Sequence, residues 1–457
     1  MAPARAGTRV DCTRGSIVNS LIRLAWPMMT SNMAVVLYQV ANTFWLGSVG
    51  ANAVASVAMA FPLLGFLWAV GDGIIMGGSA LVAKYAGSGD MRSVNKVAAH
   101  VVVLIFAYYV VVALLVLPFL HEVLLLMGAP PEILGDVFSF VRILVLAMPL
   151  TEIFFVYSSM LQGTGDSINP MKMWSVTLML NMVLDPILIV GVGTIGGYGL
   201  TGSAIAIVSC RLLLASTALV GFWRGYHGLQ ITRRDLKFDP ALLRRLLRVS
   251  LPISGERLSL GMEQMVLVAI VAGFGTPVLA AYGVGQRVLS LATMPGFAAG
   301  TAVTALVGQN LGAGESARAE QGTWVSAAVA GVVLSIVGLV LATAAEPILS
   351  LFNREAAVLQ HGIQFLKIVG PTVGLAAVFI TLGGAYRALE RTVPYMGWVL
   401  ATSWFLKIHL ALILPLTLGV SGIWIAMALT NVAAPIGAAL SLKFGLWKKL
   451  SSQLLHS

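Results

Sequence analysis

The chain has 457 residues, of which 58% are apolar and 10% charged, and its formal net charge is +10. A mean hydropathy of +0.92 is too high for a protein whose whole surface faces water. Two cysteines with no CxxC spacing exclude a disulfide framework, and we expect no metal site and no redox chemistry.

Apolar runs long enough to cross a membrane as helices recur along the whole chain. They are continuous, whereas strands of a membrane barrel alternate apolar and polar residues in shorter segments, so the predicted fold class is an all-α integral membrane protein. The twelve predicted transmembrane helices cover residues 19–46, 53–83, 95–120, 137–162, 168–194, 199–223, 247–273, 279–309, 319–345, 362–388, 393–417 and 420–446.

Basic residues gather in alternate connections between the predicted spans. This asymmetry predicts that both termini are cytoplasmic, in the plasma (inner) membrane of the cell, with tails at residues 1–18 and 447–457. The start lacks the apolar region and cleavage site of a signal peptide. The basic loops suit membrane lipids rather than nucleic acid. The basic residues include Arg5, Arg9, Arg14, Lys84, Arg92, Lys96, Lys443, Lys448 and Lys449, and the link at 224–246 is richest in them.

The two halves of the sequence resemble each other. Pro27 recurs as Pro252 at an offset of 225, and "ALVAKYAGSGD" (80–90) aligns with "ALVGQNLGAGE" (305–315) at the same offset. We predict two pseudo-symmetric six-helix lobes, residues 19–223 and 247–446, joined by the link at 224–246. Parallel repeats of this kind are typical of transporters. The chain has no GxxxxGK[ST] nucleotide-binding motif, so we predict a secondary transporter and not an enzyme.

Four motifs resemble those of the multidrug and toxic compound extrusion (MATE) family. They are "VANTFWLG" (40–47), "GGSALVAKYAGSGD" (77–90), "LQGTGDSINP" (161–170) and "LNMVLDPILI" (180–189). The resemblance implies two six-helix lobes and export of organic, often cationic compounds in exchange for protons or sodium. It also implies that Asn181 and Asp185 belong to the cation site.

Asp185 lies inside an otherwise apolar run, where a carboxylate is costly unless it faces a cavity or a partner. Burial disfavours the charged form, so a small change of surroundings would load or unload a proton. Asn181 precedes Asp185 by four residues and shares its helix face. In the alternative interpretation, Asp185 only caps a second half-helix that begins at Pro186.

Two residues favour protons over sodium as the coupling ion. Asn42 stands where the family usually has an aspartate, and Ile207 where many relatives carry a hydroxyl. Sodium needs several oxygen ligands, whereas a proton needs only Asp185, although Na⁺ at Asp185 and Asn181 stays open. We expect Asn42 to be a neutral hydrogen-bond partner of Asp185, or else simple packing polarity. No cofactor is expected.

The second lobe has its own polar set. The repeat offset places His409 opposite Asp185, and we expect Glu263 to approach either His409 or Lys407, as a structural ion pair or as a second proton site. Glu256 and Arg257 are expected near the cytoplasmic surface, as gating or interface residues.

A further buried acid and a substrate cleft complete the predicted site. Asp72 is either functional or a partner of a nearby arginine. The aromatic and methionine-rich surface suits flat or cationic small organic substrates. The predicted cleft residues are Tyr38, Gln39, Tyr157 and Gln264. We expect a monomer. The alternative functions are a lipid-linked saccharide flippase of related architecture and a membrane-embedded enzyme.

Overall fold

The computed structural model describes residues 8–192, 195–352 and 354–447, without the side chains of residues 192, 195 and 446. The basic residues Arg5, Lys448 and Lys449 lie outside this part of the chain. Twelve helical elements long enough to cross a membrane follow one another in the described residues, as the sequence predicts.

The first six helices correspond to the first half of the repeat. An antiparallel pair of two-residue strands, in which Gly191 pairs with Gly196, lies between α5 and α6. Their bounds are α1 Ile17–Val49, α2 Ala51–Gly87, α3 Met91–Leu126, α4 Pro131–Thr151 with its continuation Ile153–Gly163, α5 Ile168–Ile189, β1 Gly191–Val192, β2 Ile195–Gly196 and α6 Gly199–Arg224.

The last six helices correspond to the second half. Two of them contain wide π-helical turns, at Ala401–Ile408 and Ser441–Trp447. Their bounds are α7 Pro240–Ala272, α8 Thr276–Gly312, α9 Ser316–Thr343 followed by Ala345–Ser350, α10 Ala356–Ala388 with a 3₁₀ turn at Gly370–Thr372, α11 Thr392–Leu418 and α12 Val420–Leu440 before its π-helical end.

Ten of these helices meet a stringent length and hydropathy criterion for membrane crossing in the described residues. The other two are α1 and α7, which are 33 residues long and carry more polar side chains. Large apolar side chains such as Phe44 and Leu126 are 68% and 89% exposed. Exposed apolar surface of this kind is expected where a helix faces lipid.

Polar side chains define several helix ends. Asp90 accepts a hydrogen bond from the backbone N–H of Ser93 at 3.0 Å and so caps α3. Asp239 accepts from the N–H groups of Ala241 and Leu242, both at 3.0 Å, and begins α7. The helix α7 therefore starts inside the segment that the sequence predicts to be a link.

The chain forms two compact units whose boundaries differ from the predicted lobes. The first unit contains Trp26–Ala86 and Asp90–Ser254, with residues 8–10, and the second contains Asp11–Ala25, Gly87–Gly89 and everything from Gly255 onward. One division falls after Ala25, two residues before Pro27, so the start of α1 belongs to the second unit and the rest of α1 to the first. The other falls after Ser254, two residues after Pro252, so the start of α7 belongs to the first unit and the rest of α7 to the second.

Small residues allow close helix packing in the first unit. A Cβ atom at Gly73 would lie 2.5 Å from the backbone nitrogen of Ser254, and one at Gly77 would lie 3.1 Å from the Cα of Ser250. These contacts bring α2 against the start of α7. Because lipid offers no hydrophobic driving force between helices, close packing of this kind contributes much of their association.

Candidate functional site

Asp185 is almost completely buried in the first unit, with 1% of its surface exposed. The side-chain amide of Asn42, on α1, donates a hydrogen bond to its Oδ2 at 2.7 Å. The same amide nitrogen lies 2.9 Å from the hydroxyl oxygen of Ser203, on α6. Three helices thus meet around one carboxylate, and Asn42 is the neutral partner expected from the sequence.

The helix α5 continues through Asp185 and Pro186 without a break. The interpretation of Asp185 as the cap of a new half-helix is therefore wrong. Proline lacks an N–H group, so the turn before Pro186 loses a backbone hydrogen bond without ending. Asp185 is positioned by a continuous helix, and its side chain is free to serve the buried cluster.

Three oxygen atoms of this cluster have no hydrogen-bond partner in the described part of the chain. They are Oδ1 of Asp185, the hydroxyl of Tyr38 and Oδ1 of Asn181, which is 4% exposed and one turn earlier on α5. The Tyr38 hydroxyl lies within electrostatic reach of Asp185. Buried acceptors without partners are costly, so a bound proton or small cation would stabilise this cluster.

Ser203 is a member of this cluster that the sequence motifs do not identify. The sequence predicts the loss of a hydroxyl at Ile207, one turn later on α6. The structure places the hydroxyl of Ser203 in the cluster, completely buried. The signal was available, since serine in an apolar helix that faces a buried amide is a candidate interhelical partner.

A second buried acid in the first unit also escaped prediction. Glu152 is 4% exposed, and its Oε1 lies 3.6 Å from the guanidinium of Arg211 and accepts from the indole N–H of Trp68 at 3.2 Å. Arg211 lies over the Trp68 ring, 5.4 Å from its centroid. Glu152 also marks the break in α4. Its partner lies 59 positions along the chain, beyond the reach of helix spacing.

In the second unit, Glu263 pairs with Lys407 and not with His409. The Lys407 Nζ lies 3.3 Å from Oε2 of Glu263, and both side chains are largely buried. His409 is exposed and stacks on Phe405. The offset that placed His409 opposite Asp185 fails because the π-helical turns of α11 hold more residues per turn than the α-helix α5.

The remaining predicted cleft residues are Gln264, Gln39 and Tyr157. Gln264 is exposed and donates to the hydroxyl of Tyr282 at 3.0 Å, and Gln39 is exposed on α1. Tyr157 is 1% exposed and packs edge-on against Phe222, so it offers no surface to a solute and its assignment to a substrate cleft is wrong.

Asp72 was predicted to be a buried acid, and it is exposed. It lies inside α2, one turn after Trp68, and it interacts electrostatically with Glu152, Tyr108 and Tyr109.

The MatE family model matches residues 27–187 and 252–413, the same stretch of each half. This chain belongs to the MATE family. It is 28% identical to the probable multidrug resistance protein YoeA of Bacillus subtilis, over 96% of each chain. It is 24% identical to the FAD transporter of Shewanella oneidensis, over 90% of this chain and 91% of that one.

The same fold occurs in solved structures. A crystal structure of MATE in complex with MaL6 superposes with a TM-score of 0.89 at 23% identity, covering 96% of this chain and 98% of that one. The MATE chain described here is therefore a multi-pass membrane transporter of a multidrug efflux family and not an enzyme.

Proposed function

We propose that this chain exports organic, mainly cationic and aromatic compounds in exchange for protons, and that Asp185 is the group that binds the coupling proton. The supporting observation is the hydrogen bond from the Asn42 amide to a carboxylate that is 1% exposed. Asn42 donates to one carboxylate oxygen and leaves the other, Oδ1, without a partner in the described residues.

The site has one carboxylate where the family usually has two. A single carboxylate binds and releases one proton without a second charge beside it, whereas sodium prefers several charged or carbonyl oxygens. Sodium binding is the alternative, because Oδ1 of Asn181 and Oδ1 of Asp185 both lack partners among the described residues and could coordinate the ion. We prefer the proton to sodium as the coupling ion because Asn42 replaces the aspartate that the family usually has at this position.

Proton binding would act on the helices that meet at Asp185. A protonated Asp185 no longer attracts the Asn42 amide as strongly, since a hydrogen bond to a charged acceptor is roughly twice as strong as a neutral one. We propose that α1 then rearranges between Pro27 and Gly47 and releases the carried compound. Tyr38 and Gln39 lie on the same part of α1 and are the proposed contacts for an aromatic cation.

Transport in proteoliposomes tests the coupling. An imposed pH gradient, with no sodium present, should drive uptake of tetraphenylphosphonium by the wild type, and Asp185→Asn should abolish it. The exposed acid Glu132 gives a matched control, so Glu132→Gln should transport normally.

A sodium gradient at constant pH is the second arm of the same experiment. Flux that follows sodium and ignores the pH gradient would overturn proton coupling while keeping Asp185 as the cation site. Normal transport by Asp185→Asn in both arms would overturn the site itself.

A further inference from the structure

A cavity of about 210 Å³ lies wholly within the second unit. Its wall carries three basic side chains, Arg257, Arg387 and Lys407, and one acidic side chain, Glu256. Glu256 is only 7% exposed, so this acid and its neighbour Arg257 line an internal space rather than a surface gate. Basic groups outnumber acidic groups on the wall, which favours an anionic occupant.

Arg387 is the most deeply placed of these cations, in the last turn of α10 and 5% exposed. Its Nε has no hydrogen-bond partner in the described part of the chain. Glu256 interacts with it electrostatically. A guanidinium presents five N–H donors in a planar fork that matches a carboxylate. A buried donor without an acceptor is costly, so an acceptor brought by a ligand would stabilise this side chain.

The other charges of the cavity are arranged differently. Lys407 is already paired with Glu263 at 3.3 Å, which neutralises most of its charge. The side-chain amide of Asn431, which also lines the cavity, donates a hydrogen bond to the hydroxyl oxygen of Thr372 at 3.0 Å. Glu256 is then the group that competes with an incoming anion for Arg387. Neutralising Glu256 should therefore strengthen anion binding, which is the direction of change that the test below expects.

The rest of the wall is apolar and sets the size of the occupant. Leu260, Phe297 and Phe379 contribute to it, and Phe379 packs against Tyr395 with 4.9 Å between ring centroids. A volume of about 210 Å³ equals roughly seven water molecules at about 30 Å³ each. That space suits one ring with one charged group, and it is too small for a drug-sized compound, whose sites are larger.

We propose that this second-unit cavity binds a small organic carboxylate, with the guanidinium of Arg387 holding the carboxylate and the apolar wall holding its ring. The site is separate from Asp185, which lies in the first unit. It therefore adds a binding function for anions to a chain whose proposed cargo is cationic, and it stands whether or not protons are the coupling ion.

Equilibrium binding of radiolabelled benzoate to the purified full-length chain in detergent tests the proposal. Benzoate should bind, benzylamine should not compete, and inorganic phosphate should compete at least tenfold more weakly because it gains nothing from the apolar wall. Arg387→Gln should weaken benzoate binding at least tenfold. Glu256→Gln should tighten it at least threefold.

The control is Arg244→Gln, which removes an exposed positive charge outside the cavity and should leave benzoate binding unchanged. Thermal unfolding checks that each variant is folded. If Arg387→Gln does not fold, Glu256→Gln decides the matter alone. Weaker or unchanged benzoate binding by Glu256→Gln overturns the proposal, and so does preferential binding of benzylamine, which would make the cavity a cation site anchored by Glu256.

Discussion

At the scale of single residues, the amide of Asn42 determines what surrounds the Asp185 carboxylate. An aspartate at position 42 would place two negative charges 2.7 Å apart, which is stable only if they share a proton or a cation. The asparagine removes that requirement and instead donates to Asp185. Ser203 accepts from the same nitrogen and completes the geometry.

Removing the Ser203 hydroxyl should loosen Asn42. We expect Ser203→Ala to lower the exchange rate about fivefold, corresponding to about 1 kcal/mol for one buried hydrogen bond. Proton-driven uptake in proteoliposomes measures it. The control is Ser56→Ala, because among the described residues the buried Ser56 hydroxyl donates only to the backbone carbonyl of Asn52. Equal effects of the two substitutions would show that Ser203 matters for packing alone.

Sequence reasoning reached some of these residues and missed others for a physical reason. Asn181 and Asp185 could be identified from the sequence because polar side chains one turn apart in an apolar helix indicate a shared helix face. Ser203 and the pair of Glu152 with Arg211 depend on contacts between different helices, and the order of residues along one helix does not determine these. His409 was misplaced because a π-helical turn is not visible in residue spacing.

At the scale of helices, the positions of the spans followed directly from hydropathy, while their breaks did not. The predicted span at 168–194 corresponds to Ile168–Ile189, but the span predicted at 137–162 is interrupted at Glu152. Hydropathy reports whether a segment lies in lipid and not whether its backbone bends. The continuous α7 is a similar case, because Asp239 begins the helix before the apolar residues start.

The contact between α2 and α7 should be sensitive to a single methyl group. Gly73→Ala would place a Cβ 2.5 Å from the Ser254 nitrogen, and overpacking of this kind costs about 1–3 kcal/mol. We expect a lower unfolding temperature in detergent. Gly65→Ala, on the same helix with no atom within 4 Å, should be neutral or slightly stabilising. Equal stability of both variants would mean that the two helices separate easily.

The start of α7 predicts a dependence of stability on pH. Lys96 lies 2.5 Å from the Asp239 carboxylate, and its hydrogen bond, with the N–H groups of the helix start, lowers the pKa of Asp239 from 3.8 to about 2. A lowered pKa in the folded state gives stability that is fully present above about pH 4 and disappears as the pH falls through about 2.

Asp239→Asn isolates this charge, because asparagine can still cap the helix. The wild type should unfold at a higher temperature than the variant at pH 7, and the difference should shrink below about pH 4. The difference in unfolding temperature between the wild type and Lys96→Met should shrink over the same pH range. A difference that stays constant from pH 7 to pH 3 would assign the effect to the cap and not to the ion pair.

At the scale of the whole molecule, the two halves share a sequence pattern and differ in chemistry. The first unit holds a carboxylate with an unpartnered oxygen among the described residues, and the second holds the pair of Glu263 and Lys407. Duplication preserved the order of the helices and the prolines Pro27 and Pro252, which the offset of 225 revealed. The polar residues diverged, so the repeat predicted the architecture well and the second polar set poorly.

The distribution of basic residues predicts the orientation in the membrane. Arg233 and Glu132 are exposed in connections that should lie on opposite sides. In intact cells, a membrane-impermeant thiol reagent should label Glu132→Cys and should label Arg233→Cys only after permeabilisation. Background labelling should be low because Cys12 and Cys210 are buried. The reverse pattern would place both termini outside.

If Asp185 binds the coupling proton, as we propose, the lone carboxylate beside Asn42 limits how steep a gradient the carrier can build. One acid takes up one proton per cycle, and trading it for a monovalent organic ion moves no net charge, so the voltage across the bilayer contributes nothing. Only the difference in acidity remains as a driving force. Each pH unit is about 1.4 kcal/mol, which sustains at most about a tenfold concentration ratio of the expelled compound. Cells in neutral surroundings would then gain little protection from this pump, and those in acid surroundings would gain most.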